Sequence, residues 1–136
     1  MTITFRLDDE AAVHANLEIL AEHGELPPDS LLVLLGDADS RVIMAVAVDD
    51  LPADPPQDER VRILAPFLRR LREDIDVDGV ALVIARRGTT QVGGGDLGWY
   101  DAFTGCAGTA RLSCHGVYLA TPSGVRHVRP GSSEAA

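Results

Sequence analysis

Residues 31–48 read LLVLLGDADSRVIMAVAV, two apolar segments separated by a short polar one. Leu31–Leu35 has no polar face, which is typical of a strand covered on both sides of a sheet. Gly36–Ser40 is rich in turn-forming residues, and Val42–Val48 is apolar and contains β-branched side chains. The stretch therefore predicts a hairpin whose first strand lies in the interior of a sheet.

A second stretch of the same kind lies further along the chain. Val80–Ala85 is uniformly apolar and follows the turn sequence Asp76–Gly79, so it predicts another strand buried on both faces. Between the two strands, Asp49–Asp58 holds four aspartates and three prolines and is expected to be a loop outside the sheet.

Three helices are predicted from apolar residues at helical spacing. The first is capped by Asp8 or Asp9 and ends at Gly24. The second carries one apolar face, and Pro66 either kinks it or marks its true start. The third is capped by Asp96. The apolar residues that predict the three helices are, in chain order, Val13, Leu17, Leu20 and Ala21, then Val61, Leu64, Ala65, Leu68 and Leu71, then Trp99, Phe103 and Ala107.

The ends of the chain add strands. Alternation in Ile3–Leu7 predicts a short half-exposed first strand, and Arg111–Ala120 with Val125–Val128 predicts a closing hairpin. The resulting order is β-α-β-β-α-β-α-β-β. It predicts one α/β domain over residues 1–130, a sandwich with a mixed β-sheet and flanking helices, followed by a disordered tail at 131–136.

Charge and composition restrict the class of partner. The 136-residue chain has a net charge of −9, and all 12 of its basic residues are arginine. Such a charge repels phosphate backbones, so we expect no nucleic-acid partner. The apolar runs are too short to span a bilayer, no secretory signal is visible, and two cysteines are too few for a disulfide framework. We therefore expect a cytoplasmic location and no membrane partner.

Four residues invite a metal interpretation, namely Cys106, Cys114, His115 and His127. They lack the close pairing of zinc ligands, so we expect Cys106 to pack inside the third helix, Cys114 to enter the core and the histidines to face solvent. Adjacent residues of a strand point to opposite faces, which excludes Cys114 and His115 as a nucleophile and base. We expect no metal, no cofactor and no catalytic residue.

The loop Arg86–Gly95 is the favoured ligand site because it follows a central strand, where α/β sheets place ligands. Gly93–Gly98 formally fits G-x-G-x-x-G, but seven residues separate it from the strand and Asp96 would repel a pyrophosphate. Arg86, Arg87 and Asp96 are the predicted ligand-binding residues, with the arginines receiving an anion.

Two stretches resemble a known family. Pro28–Gly36 (PDSLLVLLG) and Val46–Pro52 (VAVDDLP) are similar to P-x-D-S-L-V-V-L-G and V-D-L-P in an actinobacterial family of unknown function, number 4192 in the domain-of-unknown-function series. The strand Asp78–Ile84 and the segment Trp99–Phe103 are placed as in that family. Val125–His127 departs from it, because a tryptophan is expected after the closing turn. The resemblance implies no activity.

The element order also resembles the JAB/MPN metallohydrolase fold, including its RadC-type branch. Active members carry H-x-H-x₇-S-x₂-D, two histidines and an aspartate that hold zinc. Aligned on Asp96, the other three positions hold Val83, Ala85 and Gly93, which cannot ligate. The sequence thus favours a non-catalytic module that binds a protein or a small anionic ligand. A hydrolase-like enzyme with a degenerate or unrecognised active site is the alternative.

Overall fold

The computed structural model describes residues 5–52 and 54–129. It contains one five-stranded sheet and three helices, which confirms the mixed α/β architecture. In chain order the elements are α1 (Glu10–Glu22), β1 (Ser30–Gly36), β2 (Val42–Val48), α2 (Gln57–Asp74), β3 (Gly79–Ala85), α3 (Gly94–Thr109), β4 (Ser113–Thr121) and β5 (Gly124–Val128).

The strand order across the sheet is β2-β1-β3-β4-β5. Neighbouring strands are antiparallel except β3 and β4, which are parallel and joined by α3. Leu31–Leu35 and Val80–Ala85 therefore lie in strands with a neighbour on each side. Every residue of β3 is buried, and Leu32 is the one residue of β1 that is partly exposed. Their uniformly apolar sequences match this two-sided burial.

The predicted hairpin of β1 and β2 is present, and its two strands differ sharply in burial. Leu31 pairs with Val48 and Leu35 with Met44 in an antiparallel register. Strand β2 forms the edge of the sheet, and its Ile43 and Met44 side chains are each 46% exposed. The apolar sequence of β2 alone does not distinguish this edge position from an interior one.

Helices cover both faces of the sheet. One core contains Leu64 and Leu68 of α2 and Phe103 of α3 packed with one face of the strands. The opposite core contains Val13 and Leu17 of α1. Asp9 caps α1 by accepting a hydrogen bond from the Ala12 amide at 3.1 Å, and Gly24 follows the helix with φ of +69°, as predicted.

Helix α2 corrects two expectations. It begins at Gln57 and continues through Pro66, so Pro66 is not its start. Proline removes one backbone donor, and we attribute the helix's continuity to the burial of Leu64, Leu68 and Leu71. The buried face also includes Arg60, whereas Val61, expected in the core, is 40% exposed.

Three smaller corrections concern element ends. The predicted first strand reduces, within the described residues, to one antiparallel bridge between Arg6 and Arg41, and Met1–Thr4 lie outside them. Cys114 was expected in the core but is exposed, because β4 becomes buried only from Val117 onward.

Helix α3 begins at Gly94 with Gly93 as its cap, so Asp96 belongs to its first turn. The closing hairpin is present, and the predicted tail at 131–136 lies outside the described residues.

No helix in the described residues is long and apolar enough to cross a bilayer.

Candidate functional site

A cleft of about 300 Å³ opens at the carboxyl end of β3, where the chain leaves the sheet for α3. We call it the Arg60 cleft. Its apolar wall comes from the loop after β2, from the end of β3 and from α3, and its polar wall includes two arginines. The lining includes the apolar residues Leu51, Pro52, Ile84 and Trp99 and the cations Arg60 and Arg86. Sheets of this class commonly bind ligands at this edge.

Arg86 and Asp96 form a partly buried ion pair at one side of the cleft, with Asp96 buried and Arg86 partly exposed. The Arg86 Nε and Nη2 atoms donate to the two Asp96 carboxylate oxygens at 2.9 and 2.8 Å. Asp96 also accepts from the Gly93 amide at 2.9 Å, so it closes the first turn of α3. The hydrogen bond with Asp96 raises the pKa of Arg86. The pair fastens the end of β3 to the start of α3.

The three predicted ligand-binding residues thus adopt two different arrangements. Arg86 also donates to the carbonyl oxygens of Arg87 and Gln91, each at 2.8 Å, so all three of its nitrogens bond within the protein. Arg86 and Arg87 both line a second cleft of about 530 Å³ on the α1 side of the sheet, near Glu18 and Glu22. The structure thus brings Arg86 together with Asp96 in the Arg60 cleft and with Arg87 in the second cleft, which Asp96 does not line. A ligand-binding role for these three residues stays a prediction.

Arg60, which sequence reasoning missed, is a cation that lines the cleft. The Arg60 side chain is only 8% exposed. Its Nη1 contacts Gln57 Oε1 at 3.2 Å and its Nη2 contacts Asp54 Oδ1 at 3.3 Å. Its Nε has no hydrogen-bond partner among the described residues. The guanidinium carbon lies 5.5 Å from the centre of the Trp99 ring, within the range of a cation–π contact.

Gly98 of α3 makes room for this guanidinium. A Cβ atom there would lie 2.7 Å from Arg60 Nη1, whereas one at Gly95 would lie at an ordinary contact distance of 3.5 Å from Nη2. The glycine-rich stretch that resembled a dinucleotide fingerprint therefore has a packing role. The sequence did carry a signal for Arg60, because it precedes Leu64 and Leu68 at intervals of four and so shares their buried helix face.

The four residues considered as zinc ligands are separated along the structure. Cys106 is buried in α3 as predicted, Cys114 and His115 are neighbours on β4, and His127 lies on β5. Within residues 5–52 and 54–129 no cluster of three or more histidine, cysteine or acidic residues suits a metal ion. The expectation that the chain binds no metal stays a prediction.

His127 belongs instead to a contact network with α1. Its ring stacks on Tyr118 with the ring centres 4.7 Å apart, and its Nδ1 lies 3.1 Å from Glu10 Oε1. The Tyr118 hydroxyl is buried and has no hydrogen-bond partner in the described part of the chain. Burial raises the pKa of Tyr118 to about 12.

Comparison with known proteins adds no relative, since no protein-family model matches this chain and no curated protein is similar to it.

Proposed function

We propose that this chain is a non-catalytic cytoplasmic module that binds a small anionic ligand in the Arg60 cleft. The observation that supports the proposal is a buried guanidinium with incomplete pairing. Arg60 is almost fully removed from water, yet one of its donors has no partner and its acidic contact is long. A buried cation in this condition carries an uncompensated desolvation penalty, which a bound anion would reduce.

The start of α3 adds a second source of positive potential. Gly93 and Gly95 line the cleft at the first turn of this 16-residue helix. Amide groups of a first helical turn lack partners within the helix, and the helix dipole favours negative charge there. The Gly93 amide already donates to Asp96, so the Gly95 amide is the one that a ligand in the cleft would meet, and Gly95 has no side chain in the way. Arg60 and the helix end therefore act on the same small volume.

The rest of the charge distribution favours a small ligand over a polyanion. The chain carries a net charge of −9, which opposes the approach of nucleic acids and of anionic membrane surfaces. A small anion carries few charges, so the same net charge repels it far less than it repels a polyanion. The two cysteines are both free thiols, which suits the cytoplasmic location included in the proposal.

Thermal unfolding in the presence of benzoate or phosphate tests the proposal, with sodium chloride added to hold ionic strength constant. A ligand at 100 times its Kd stabilises the native state by about 2.7 kcal/mol, which raises Tm by several degrees. The Arg60→Lys variant keeps the charge but loses the guanidinium fork, so it should lose most of this increase. Arg62→Lys, on an exposed position of the same helix, is the matched control and should keep it.

Two results would contradict the proposal. One is the absence of stabilisation by either anion at millimolar concentrations. The other is equal stabilisation of the Arg60→Lys variant and the wild-type protein, which would place the anion elsewhere.

A further inference from the structure

We propose that the Asp54 carboxylate competes with the ligand for the Arg60 guanidinium, and that the ligand which displaces Asp54 is a small monocarboxylate with an apolar body. This inference rests on the proposed function, since it concerns the same cleft. It assigns the class of ligand and the residue, Asp54, that lowers the affinity for it.

The contact between Asp54 and Arg60 joins an exposed group to a buried one. The Asp54 side chain is 91% exposed, whereas that of Arg60 is 8% exposed. Their separation of 3.3 Å exceeds the 2.7–2.9 Å usual for a hydrogen bond between two charged groups. An acidic side chain held this loosely and open to water is readily replaced by another carboxylate.

The geometry of the guanidinium indicates what a replacement would gain. Nε and Nη2 form one edge of the guanidinium, and that edge matches the two oxygens of a carboxylate. Asp54 contacts Nη2 alone, and Nε has no partner among the residues described. A ligand carboxylate that displaces Asp54 would occupy the position of the Asp54 oxygen on Nη2. Nε is shielded from solvent, so the side chains around it must shift before the same carboxylate can also satisfy this unpaired donor.

Charge and shape of the cleft favour a monocarboxylate over a phosphate. Asp29, Asp54 and Asp96 all line it, against the two cations Arg60 and Arg86. A phosphate monoester, which carries a charge of about −1.5 to −2 near neutral pH, is repelled by these carboxylates more than a singly charged ligand is.

The remaining wall is apolar and the volume is small. Leu51, Pro52, Ile84 and Trp99 surround a space of about 300 Å³, at the lower end of the range for small-molecule sites. An apolar or aromatic body attached to the carboxylate would pack against these side chains. Benzoate has this chemistry and serves as the probe.

The test measures benzoate and phosphate affinity for three proteins by the fluorescence of Trp99, the one tryptophan of the chain. The proteins are the wild type, Asp54→Asn and Asp50→Asn. Asp50 is an exposed aspartate of the same loop, and both Asp50 and Asp54 have a positive φ. Asp50→Asn therefore reproduces the change of net charge in a similar backbone conformation. We expect Asp54→Asn to bind benzoate about fivefold more tightly than the wild type, a change of about 1 kcal/mol. Asp50→Asn should stay within about twofold of the wild type, and phosphate should bind more weakly than benzoate.

The outcomes separate this inference from the proposed function. Benzoate binding that depends on Arg60 but is equal or weaker in Asp54→Asn would overturn the competitor role alone. Tighter binding of phosphate than of benzoate would overturn the assigned ligand class. Failure of both anions to bind the wild type and Asp54→Asn would remove the proposed function and this inference together.

Discussion

Substituting Gly98 by alanine tests whether Arg60 is packed against α3 as described. Alanine in place of glycine inside a helix normally stabilises it by about 1 kcal/mol. Here the new Cβ would lie 2.7 Å from Arg60 Nη1 and 2.8 Å from Gln57 Oε1, so both side chains must move. The Arg60 contact with Trp99 and the 2.8 Å hydrogen bond from Gln57 Nε2 to the Gly98 carbonyl would be lost or weakened.

The expected magnitude follows from these losses. A partly desolvated cation–π contact contributes about 1–2 kcal/mol and one hydrogen bond about 1 kcal/mol. The gain in helix stability from alanine, about 1 kcal/mol, offsets part of these losses. Gly98→Ala should therefore destabilise the protein by about 1–2 kcal/mol. Urea unfolding measures the change, and Trp99 emission should shift in the folded variant because its cationic neighbour has moved.

Gly105 provides the matched control in the same helix. A Cβ atom there meets nothing within 4 Å, so Gly105→Ala should stabilise the protein by up to about 1 kcal/mol. Equal stabilisation by the two substitutions, with unchanged Trp99 emission, would refute the packing of Arg60 between α2 and α3.

Three further predictions concern the core, a buried phenol and the ion pair beside the cleft. Leu34→Ala should cost about 2–5 kcal/mol in urea unfolding because Leu34 is 2% exposed, whereas Ile43→Ala on the edge strand should cost about 1 kcal/mol or less. Since the pKa of Tyr118 is raised from 10 to about 12, the unfolded state loses this proton first, and stability should fall by about 2 kcal/mol between pH 10 and 12; an equal fall in Tyr118→Phe would contradict this. Arg86→Ala or Asp96→Ala alone should destabilise by about 2–3 kcal/mol, because the pair is only partly buried, and the double variant by clearly less than their sum; additive losses would argue against a direct pair.

The candidate site divides into a part that sequence reasoning located and a part that it missed. The loop after β3 was identified because it follows a central strand, where α/β sheets place ligands, and Arg86 and Asp96 do meet there. Their pairing with each other, instead of with a ligand, depends on the distance between the end of β3 and the first turn of α3. Arg60 was overlooked because an arginine that follows two acidic residues, here Asp58 and Glu59, is usually solvated, and its burial depends on the space that Gly98 leaves on another helix.

By itself the sequence determined the elements that depend on local pattern. Side-chain periodicity and turn chemistry, which act over a few residues, predict the two-sided strands Leu31–Leu35 and Val80–Ala85, the hairpin to Val42–Val48 and an aspartate cap on α1, with Asp8 and Asp9 as the candidates. The tertiary structure alone decided that β2 forms an edge, that Pro66 stays within α2 and that Arg60 is buried over Trp99. Each of these depends on which surfaces distant segments cover, and the free energy of that packing outweighs local propensity.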